Sequence, residues 1–283
     1  MPRPDCRVGA RVRQCRPGAV RLREQRMKIS DRPSAPVWAD LSTTDVPAAK
    51  AFYGDLFGWQ GADVPMEEAG GYGMFLLGDR YVGGYGPCMA PEQPVAWLAY
   101  FQVESADATA ATVTGNGGSI VAGPMDVFES GRLAVLSDPE GAVFGVWQPK
   151  EHHGFGVVDE PGGMCWFELL TRDSDRAKTF YGTVFGWHAD AADPYGSSSE
   201  YTEWKLGGES FSGMMRMGSD FPPEVPAHWM VYVQVEDCDA VAARARELDG
   251  EVHVPPTSIP PGRFALLRDP QGGVFSVIAL TES

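Results

Sequence analysis

The sequence contains no run of 18 uninterrupted apolar residues, which excludes a membrane-spanning helix. Its five cysteines, Cys6, Cys15, Cys88, Cys165 and Cys238, form no Cys-x-x-Cys or other zinc-like spacing. An odd number of scattered thiols suits a reducing cytoplasm better than a disulfide framework. The sequence also lacks GxSxG, a P-loop, and GxGxxG in a strand–turn–helix setting, so nothing points to the enzyme classes those motifs carry. Bases are scarce: 23 Lys and Arg stand against 38 Asp and Glu, a formal net charge of −15. A broad basic surface for nucleic acid is thereby excluded. The few bases are unevenly spread. Residues 1–26 hold eight arginines and two acids, Asp5 and Glu24, which leaves −21 on residues 27–283. Such a body repels phosphate polymers and anionic membranes. The basic head has no apolar h-region and is therefore no secretory signal. Without a hydrophobic period, residues 1–34 are expected to be a disordered Arg-rich extension, with Met27 as the working first residue. An arm for an anionic partner is the alternative.

What the chain does have is core material and repetition. Hydrophobic residues make up 43% of 283 residues and aromatics 11%, with eight Trp, enough for two packed domains and too much for disorder. Residues 38–59, WADLSTTDVPAAKAFYGDLFGW, return as WFELLTRDSDRAKTFYGTVFGW at 166–187, an offset of 128. WLAYFQVES (97–105) returns as WMVYVQVED (229–237), and GRLAVLSDPEGAVFGV (131–146) as GRFALLRDPQGGVFSV (262–277). The near-constant offsets mark a tandem duplication whose copies keep the same element lengths. The expected limits are 35–150 for module 1, 151–161 for a linker and 162–280 for module 2.

In each copy a strand (36–42 in the first) leads to Asp45 as helix N-cap. The helix runs through Phe52–Tyr53 to Gly58. Strands follow near 72–78, 82–88 and 96–103, then a helix over 106–115 and strands near 119–122, 131–137 and 142–148. The pattern is a βαβββ unit written twice per copy. No βαβ run demands a doubly wound parallel sheet.

The residues Asp45-x6-Phe52-Tyr53…Phe57-Gly58 and Asp138-Pro139-Glu140-Gly141, each repeated in the second copy, resemble the vicinal oxygen chelate superfamily. That family covers glyoxalases, bleomycin-resistance proteins and extradiol dioxygenases, and the likeness here is to its tandem-domain members. The resemblance implies an α+β fold of two tandem glyoxalase-like modules. Each would hold two βαβββ units in a curved mixed sheet with outer helices. In the family's metalloenzymes, four side chains on the concave sheet hold a divalent ion. Aligned on the two motifs, those positions carry Trp38 and Trp166, then a strand (81–89 or 211–217) without His, Asp or Glu, then Leu98 or Met230, and last Gly145 or Ser276. An indole N–H only donates and cannot ligate. The expectation is therefore no metal and no other cofactor. Instead of an ion cage there would be a dry aromatic cleft, with Gly145 and Ser276 opening volume.

Strand alternation assigns the cleft faces. With Trp38 facing in, Asp40 follows, and Leu98, Tyr100 and Gln102 line the neighbouring strand. Trp166, Glu168, Met230, Tyr232 and Gln234 are their counterparts, with His228 at the rim. Trp38 and Trp166 could instead be ordinary core aromatics. Trp59 and Trp187, which follow the helix, are expected to be packing residues, and Trp97 and Trp229 have the helix-facing parity of the core. Arg132 and Arg263 are expected to pair with surface acids. Asp40 and Glu168 are the carboxylates that burial could turn into bases, and Glu168 with His228 would make an acid–base pair. Hydrogen bonds to amides or Arg at the mouth are the competing role.

Two functions follow. The first is metal-independent binding of a small aromatic natural product, an antibiotic or polyketide intermediate, for sequestration, self-resistance or pathway assistance. The second is a glyoxalase-like lyase or isomerase, or a cofactor-free hydroxylase or tailoring enzyme, with Asp40 or Glu168 as base. The chain is expected to be cytoplasmic, a monomer with pseudo-dimeric modules or a homodimer, with no nucleic-acid or membrane partner.

Overall fold

The computed structural model describes residues 33–192 and 201–281. The expected extension lies outside the described residues, apart from Pro33 and Ser34. Ser34 is pinned, its N–H donating to the Gln102 carbonyl at 2.8 Å.

The first module runs β1 (Pro36–Thr43), α1 (Val46–Phe57), β2 (Gln60–Asp63), a 3-10 turn (Glu67–Ala69), β3 (Gly73–Leu77), β4 (Arg80–Pro87), β5 (Ala96–Gln102), α2 (Ala106–Gly115), β6 (Ser119–Val127), β7 (Gly131–Ser137) and β8 (Val143–Pro149). The second repeats it: β9 (Met164–Thr171), α3 (Ser174–Phe185), β10 (His188–Ala192), β11 (Tyr201–Leu206), β12 (Glu209–Arg216), β13 (His228–Gln234), α4 (Cys238–Glu247), β14 (Glu251–Ile259), β15 (Gly262–Arg268) and β16 (Val274–Leu280). Each module forms one eight-stranded mixed sheet, ordered β2-β3-β4-β1-β5-β8-β7-β6 and β10-β11-β12-β9-β13-β16-β15-β14. The two βαβββ units of a module meet at the antiparallel pair β1/β5 or β9/β13. Every strand of a sheet therefore comes from one module. β2, with the sequence QGAD, is exposed along its whole length; lacking apolar alternation, it left no strand signal in the sequence.

Local chemistry places the helices. Asp45 and Asp173 cap α1 and α3, each accepting from a backbone N–H three residues on, at 3.0 Å. Gly58 and Gly186 end them at φ 74° and 71°, a left-handed conformation that glycine adopts without a Cβ penalty.

The helix-side faces of both sheets share one core. Tyr53 on α1 packs on Phe275 of β16 at 5.4 Å between ring centroids, and Tyr181 on α3 packs on Phe144 of β8 at 5.8 Å. α1 and α3 thus lie at the seam, each against the other module. The two repeated motifs meet there. The Tyr53 hydroxyl donates to Asp269 Oδ2 (2.9 Å) and the Tyr181 hydroxyl to Asp138 Oδ2 (3.1 Å). The Trp97 and Trp229 indoles donate to those same hydroxyls at 3.0 Å. The remaining oxygen of Asp269 accepts the amides of Gln271, Gly272 and Gly273, and that of Asp138 accepts the amides of Glu140 and Ala142. Burial pushes both tyrosine phenols well above their ordinary range. The Phe-Tyr and Asp-Pro-x-Gly motifs are thus halves of a reciprocal intermodule clasp. Trp59, Trp187, Trp97 and Trp229 are all buried in this core, as expected of packing residues.

Candidate functional site

In each sheet the residues that alternation predicts share one face; in module 1 they form a small cluster of their own, whereas in module 2 Met230 and Tyr232 join the main core with Trp166 packed against it. In register, Trp38 lies opposite Tyr100 and Asp40 opposite Leu98. Tyr100 lies opposite Gly145, and Gln102 opposite Trp147. The second module repeats this with Trp166 opposite Tyr232, Glu168 opposite Met230, Tyr232 opposite Ser276 and Gln234 opposite Ile278.

Each face is organised around one carboxyl group. In module 1 the Tyr100 and Tyr72 hydroxyls act on the Asp40 carboxyl, pulling its pKa down, while the Trp38 indole donates to the Tyr72 hydroxyl at 3.0 Å. Asp40 Oδ1 is buried and has no hydrogen-bond partner. Burial pushes the Asp40 carboxyl up to about 7 despite the two phenol donors, which pull it down. In module 2 the Tyr232 hydroxyl donates to Glu168 Oε2 at 2.9 Å, and the Trp166 indole donates to the Tyr201 hydroxyl at 3.0 Å. The same four residue types, a Trp, two Tyr and an acid, therefore recur in the second module, with an acid one methylene longer.

Tyr72 and Tyr201 are the members that sequence reasoning missed. They reach the indoles because Gly84 and Gly213 leave room: a Cβ there would lie 2.1 Å and 2.0 Å from the tyrosine oxygens. A signal existed, since both pairs sit 129 residues apart, within the offsets of the repeat. Gly145 opens no void. A Cβ on it would lie 2.1 Å from Tyr100 Cδ1, so the Tyr100 ring occupies the space expected to be free.

The other candidates are spread around these quartets. Leu98 and Met74 pack on a small cluster of Val37, Trp38, Tyr100 and Trp147. Met230 and Ser276 are buried in module 2, and Gln234 Oε1 is buried without a hydrogen-bond partner. Gln102 borders a surface hollow with Pro33, Val103, Glu104, Gln148 and Pro149, at the end of the sheet. His228 opens β13 opposite Leu170, and its Nδ1 lies 2.8 Å from the Pro226 carbonyl. Burial lowers its pKa, so the neutral ring is favoured. Arg132 and Arg263 are held by Asp107 and Asp239 in two-pronged ion pairs. They are structural.

The linker adds a part that the sequence did not reveal. Residues 150–157 cross the start of β1 on the cleft side. The His152 ring meets the Trp38 ring edge-on at 4.6 Å and the Phe155 ring lies 5.5 Å from it. The Trp147 indole donates to the His152 carbonyl at 2.9 Å.

A double eight-stranded mixed sheet, built from four βαβββ units around a seam of reciprocal clasps, defines a two-module protein of the glyoxalase type. The chain belongs to the Glyoxalase/Bleomycin resistance protein/Dioxygenase superfamily, which it matches over residues 35–146 and 163–277. It is 40% identical over 252 residues to CFP32 of Mycobacterium tuberculosis, provisionally named a glyoxylase, covering 87% of this chain and 95% of the relative. It is 37% identical over 264 residues to the anthracycline biosynthesis protein DnrV of Streptomyces peucetius, covering 88% of this chain and 94% of that one. Among solved structures, the Mn(II)-bound glyoxalase from Novosphingobium aromaticivorans superposes with a TM-score of 0.61 at 17% identity, covering 89% of this chain and 83% of that one. The 2,3-dioxygenase LapB from Pseudomonas sp. KL28 gives 0.60 at 13%, covering 88% and 94%. These two likenesses concern the fold.

A divalent ion of the kind some members carry does not fit the residues present. The indoles at the first ligand position are donors already engaged with tyrosine hydroxyls. Leucine, methionine, glycine and a buried serine stand at the later ones. Among the described residues no three His, Cys, Asp or Glu side chains gather in a metal-binding group. Also among the described residues, no helix is long and apolar enough to cross a membrane.

Proposed function

We propose that this protein binds a flat aromatic natural product of the polyketide or anthracycline kind without a metal ion. Its role would be that of an accessory, sequestering or self-resistance protein of antibiotic biosynthesis. The carrying observation is the repeated quartet: where a cation cage would need lone-pair donors, both modules present an indole, two phenols and one carboxyl group. Such walls suit flat guests, since each aromatic pair contributes about 0.5–1.5 kcal/mol beyond area burial. The relatives named for anthracycline biosynthesis support the ligand class. The net charge of −15 favours cationic ligands such as amino-sugar glycosides. Scattered free thiols at Cys88, Cys165 and Cys238 support a cytoplasmic setting. The test is calorimetric titration with an anthracycline glycoside in the presence of a chelator. Saturable binding at about micromolar strength or better supports the reading. No saturation up to the solubility limit refutes it.

A second reading, metal-free proton transfer by Asp40, is favoured by one observation: the carboxyl is poised at about 7, where a general base works best. Against it stands the packing of Trp38 beneath His152 and Phe155, which leaves a substrate little access. Turnover of a hemithioacetal lost in Asp40→Asn, with a pH profile breaking near 7, would establish it.

A further inference from the structure

In module 1 the linker places rings of its own against the indole that a flat guest would use. His152 stands among three aromatic side chains from three strands. Its ring centroid lies 4.6 Å from Trp38 of β1, 5.6 Å from Tyr81 of β4 and 5.9 Å from Trp147 of β8, at interplanar angles of 89°, 76° and 74°. Phe155 lies 5.5 Å from Trp38 at only 33°, tilted from a stack. Trp38 is buried beneath them. Burial pushes the His152 pKa down to about 4, with His153 adding to the shift. At neutral pH its ring is therefore an uncharged plate, the kind of group that aromatic walls accept.

The cover is held mainly through its backbone. The His152 N–H donates to the Ser130 carbonyl (3.0 Å), and the His152 carbonyl accepts the Trp147 indole (2.9 Å). The Phe155 N–H donates to the Val37 carbonyl (3.1 Å), and the Gly156 and Val157 N–H groups donate to the Tyr81 carbonyl (2.8 and 3.1 Å). Phe155 is flanked by glycines. Gly154 sits at φ 102°, and a Cβ there would lie 2.3 Å from the Val37 carbonyl oxygen. The strap therefore closes only with glycine at this position. The closed state also leaves polar atoms unmet. Asp40 Oδ1 and His152 Nε2 are both buried without a hydrogen-bond partner, a condition that is uncommon and costly in a folded chain. One atom belongs to the cleft and the other to the strap, so closure satisfies neither.

We infer that the linker is a built-in competitor for module 1: His152 and Phe155 stand in for the guest against Trp38, and a flat aromatic ligand binds there by lifting residues 150–157. The inference rests on the aromatic-ligand reading and adds the regulation of that site. Apparent affinity is then the intrinsic affinity scaled by the fraction of chains whose strap is open.

Two variants of the full chain lift the strap in different ways. Gly154→Ala keeps every aromatic ring, and His152→Ala/Phe155→Ala removes the competing rings and serves should the first fail to fold. Hydroxyl-radical footprinting without ligand should show Trp38 oxidised several times faster in both than in the unmutated chain. An unchanged rate overturns the inference, whatever the ligand does. Calorimetry with an anthracycline glycoside should show binding tighter by about twofold to tenfold in both, as removal of a competing ring contact implies. His153→Ala, an exposed neighbour on the strap, should change neither quantity, and a shift there as large as in the lifted variants overturns the inference. Equal or weaker binding by the lifted variants, beside normal binding by the unmutated chain, overturns it and leaves the ligand reading intact. Binding by the lifted variants alone supports the competitor and refutes the ligand reading for the unmutated chain. No binding by any variant refutes both.

Discussion

Replacing Asp40 by Asn should make the protein more stable at pH 8. The carboxyl sits at about 7 in the folded protein against its ordinary 3.8, raised by burial. The sign follows from proton binding: a raised acid pKa means that the folded state holds the proton more tightly than the unfolded chain. Below 3.8 the group is neutral in both states and nothing is lost. Between 3.8 and about 7 stability falls as pH rises, and above 7 the whole penalty is present. At about 1.4 kcal/mol per pH unit that penalty approaches about 4 kcal/mol. Asn keeps an oxygen acceptor for the Tyr72 and Tyr100 hydroxyls. Its NH2 group replaces an oxygen that has no partner, and an unpaired buried donor costs about 1 kcal/mol or more. The net expectation is a gain of about 2–3 kcal/mol at pH 8, reversing to a small loss below about pH 5. Urea unfolding of both proteins, paired at each pH, measures it. The pairing matters because His152 works in the opposite direction at lower pH. An Asp40→Asn protein that is less stable at pH 8 would show that the tyrosine bonds outweigh burial, and would refute the reasoning. A stabilised variant with impaired ligand binding would mark Asp40 as a group kept at the expense of stability for function.

Tyr53→Phe removes the donor to Asp269 Oδ2 and the acceptor of the Trp97 indole; denaturant unfolding should show a loss of about 2–4 kcal/mol, and a change below about 0.5 would deny the clasp its role. Gly145→Ala should lower stability by about 1–3 kcal/mol, because its methyl would overlap the Tyr100 ring; a neutral result would mean that the ring is free to leave. His152 is held near 4 by burial, with His153 adding to the shift, so the folded state resists protonation. Stability should fall as pH drops from about 6.5 to 4, by up to about 3 kcal/mol, and His152→Phe should flatten that slope while keeping the ring contact with Trp38. An unchanged slope in urea melts at pH 7 and pH 4.5 would place His152 elsewhere.

The fold was legible because its markers are short and repeated. Asp45 and Asp173, Gly58 and Gly186, and the Asp-Pro-x-Gly turns fix helix ends and tight turns by local chemistry, which a sequence displays directly. Alternation alone put Trp38, Tyr100, Trp166 and Tyr232 on one face, since period two needs no tertiary information. The reason for the Phe-Tyr motif was not legible: Tyr53 meets Asp269 across 216 positions, and only packing brings them together. Tyr72 and Tyr201 escaped because they precede or open short strands, and their pairing with the indoles across 34 and 35 positions is made only by packing. The linker over Trp38 was hidden for another reason: it depends on His152 and Phe155, which lie outside any repeated motif, and on the Trp147 indole that holds the His152 carbonyl. The apparent void at Gly145 shows the limit of reading size from sequence, because a neighbouring ring can move into the space a small residue leaves.

If an indole, two phenols and a carboxyl group have taken the place of a cation cage in each module, ligand affinity owes nothing to a metal ion. The most direct test is one titration performed twice: an anthracycline glycoside added to protein stripped with chelator, then to protein reloaded with manganese, nickel or zinc. The same saturable affinity is expected in both, with no turnover of hemithioacetal in either. Binding or turnover that appears only after reloading, with the ion retained stoichiometrically, would contradict it.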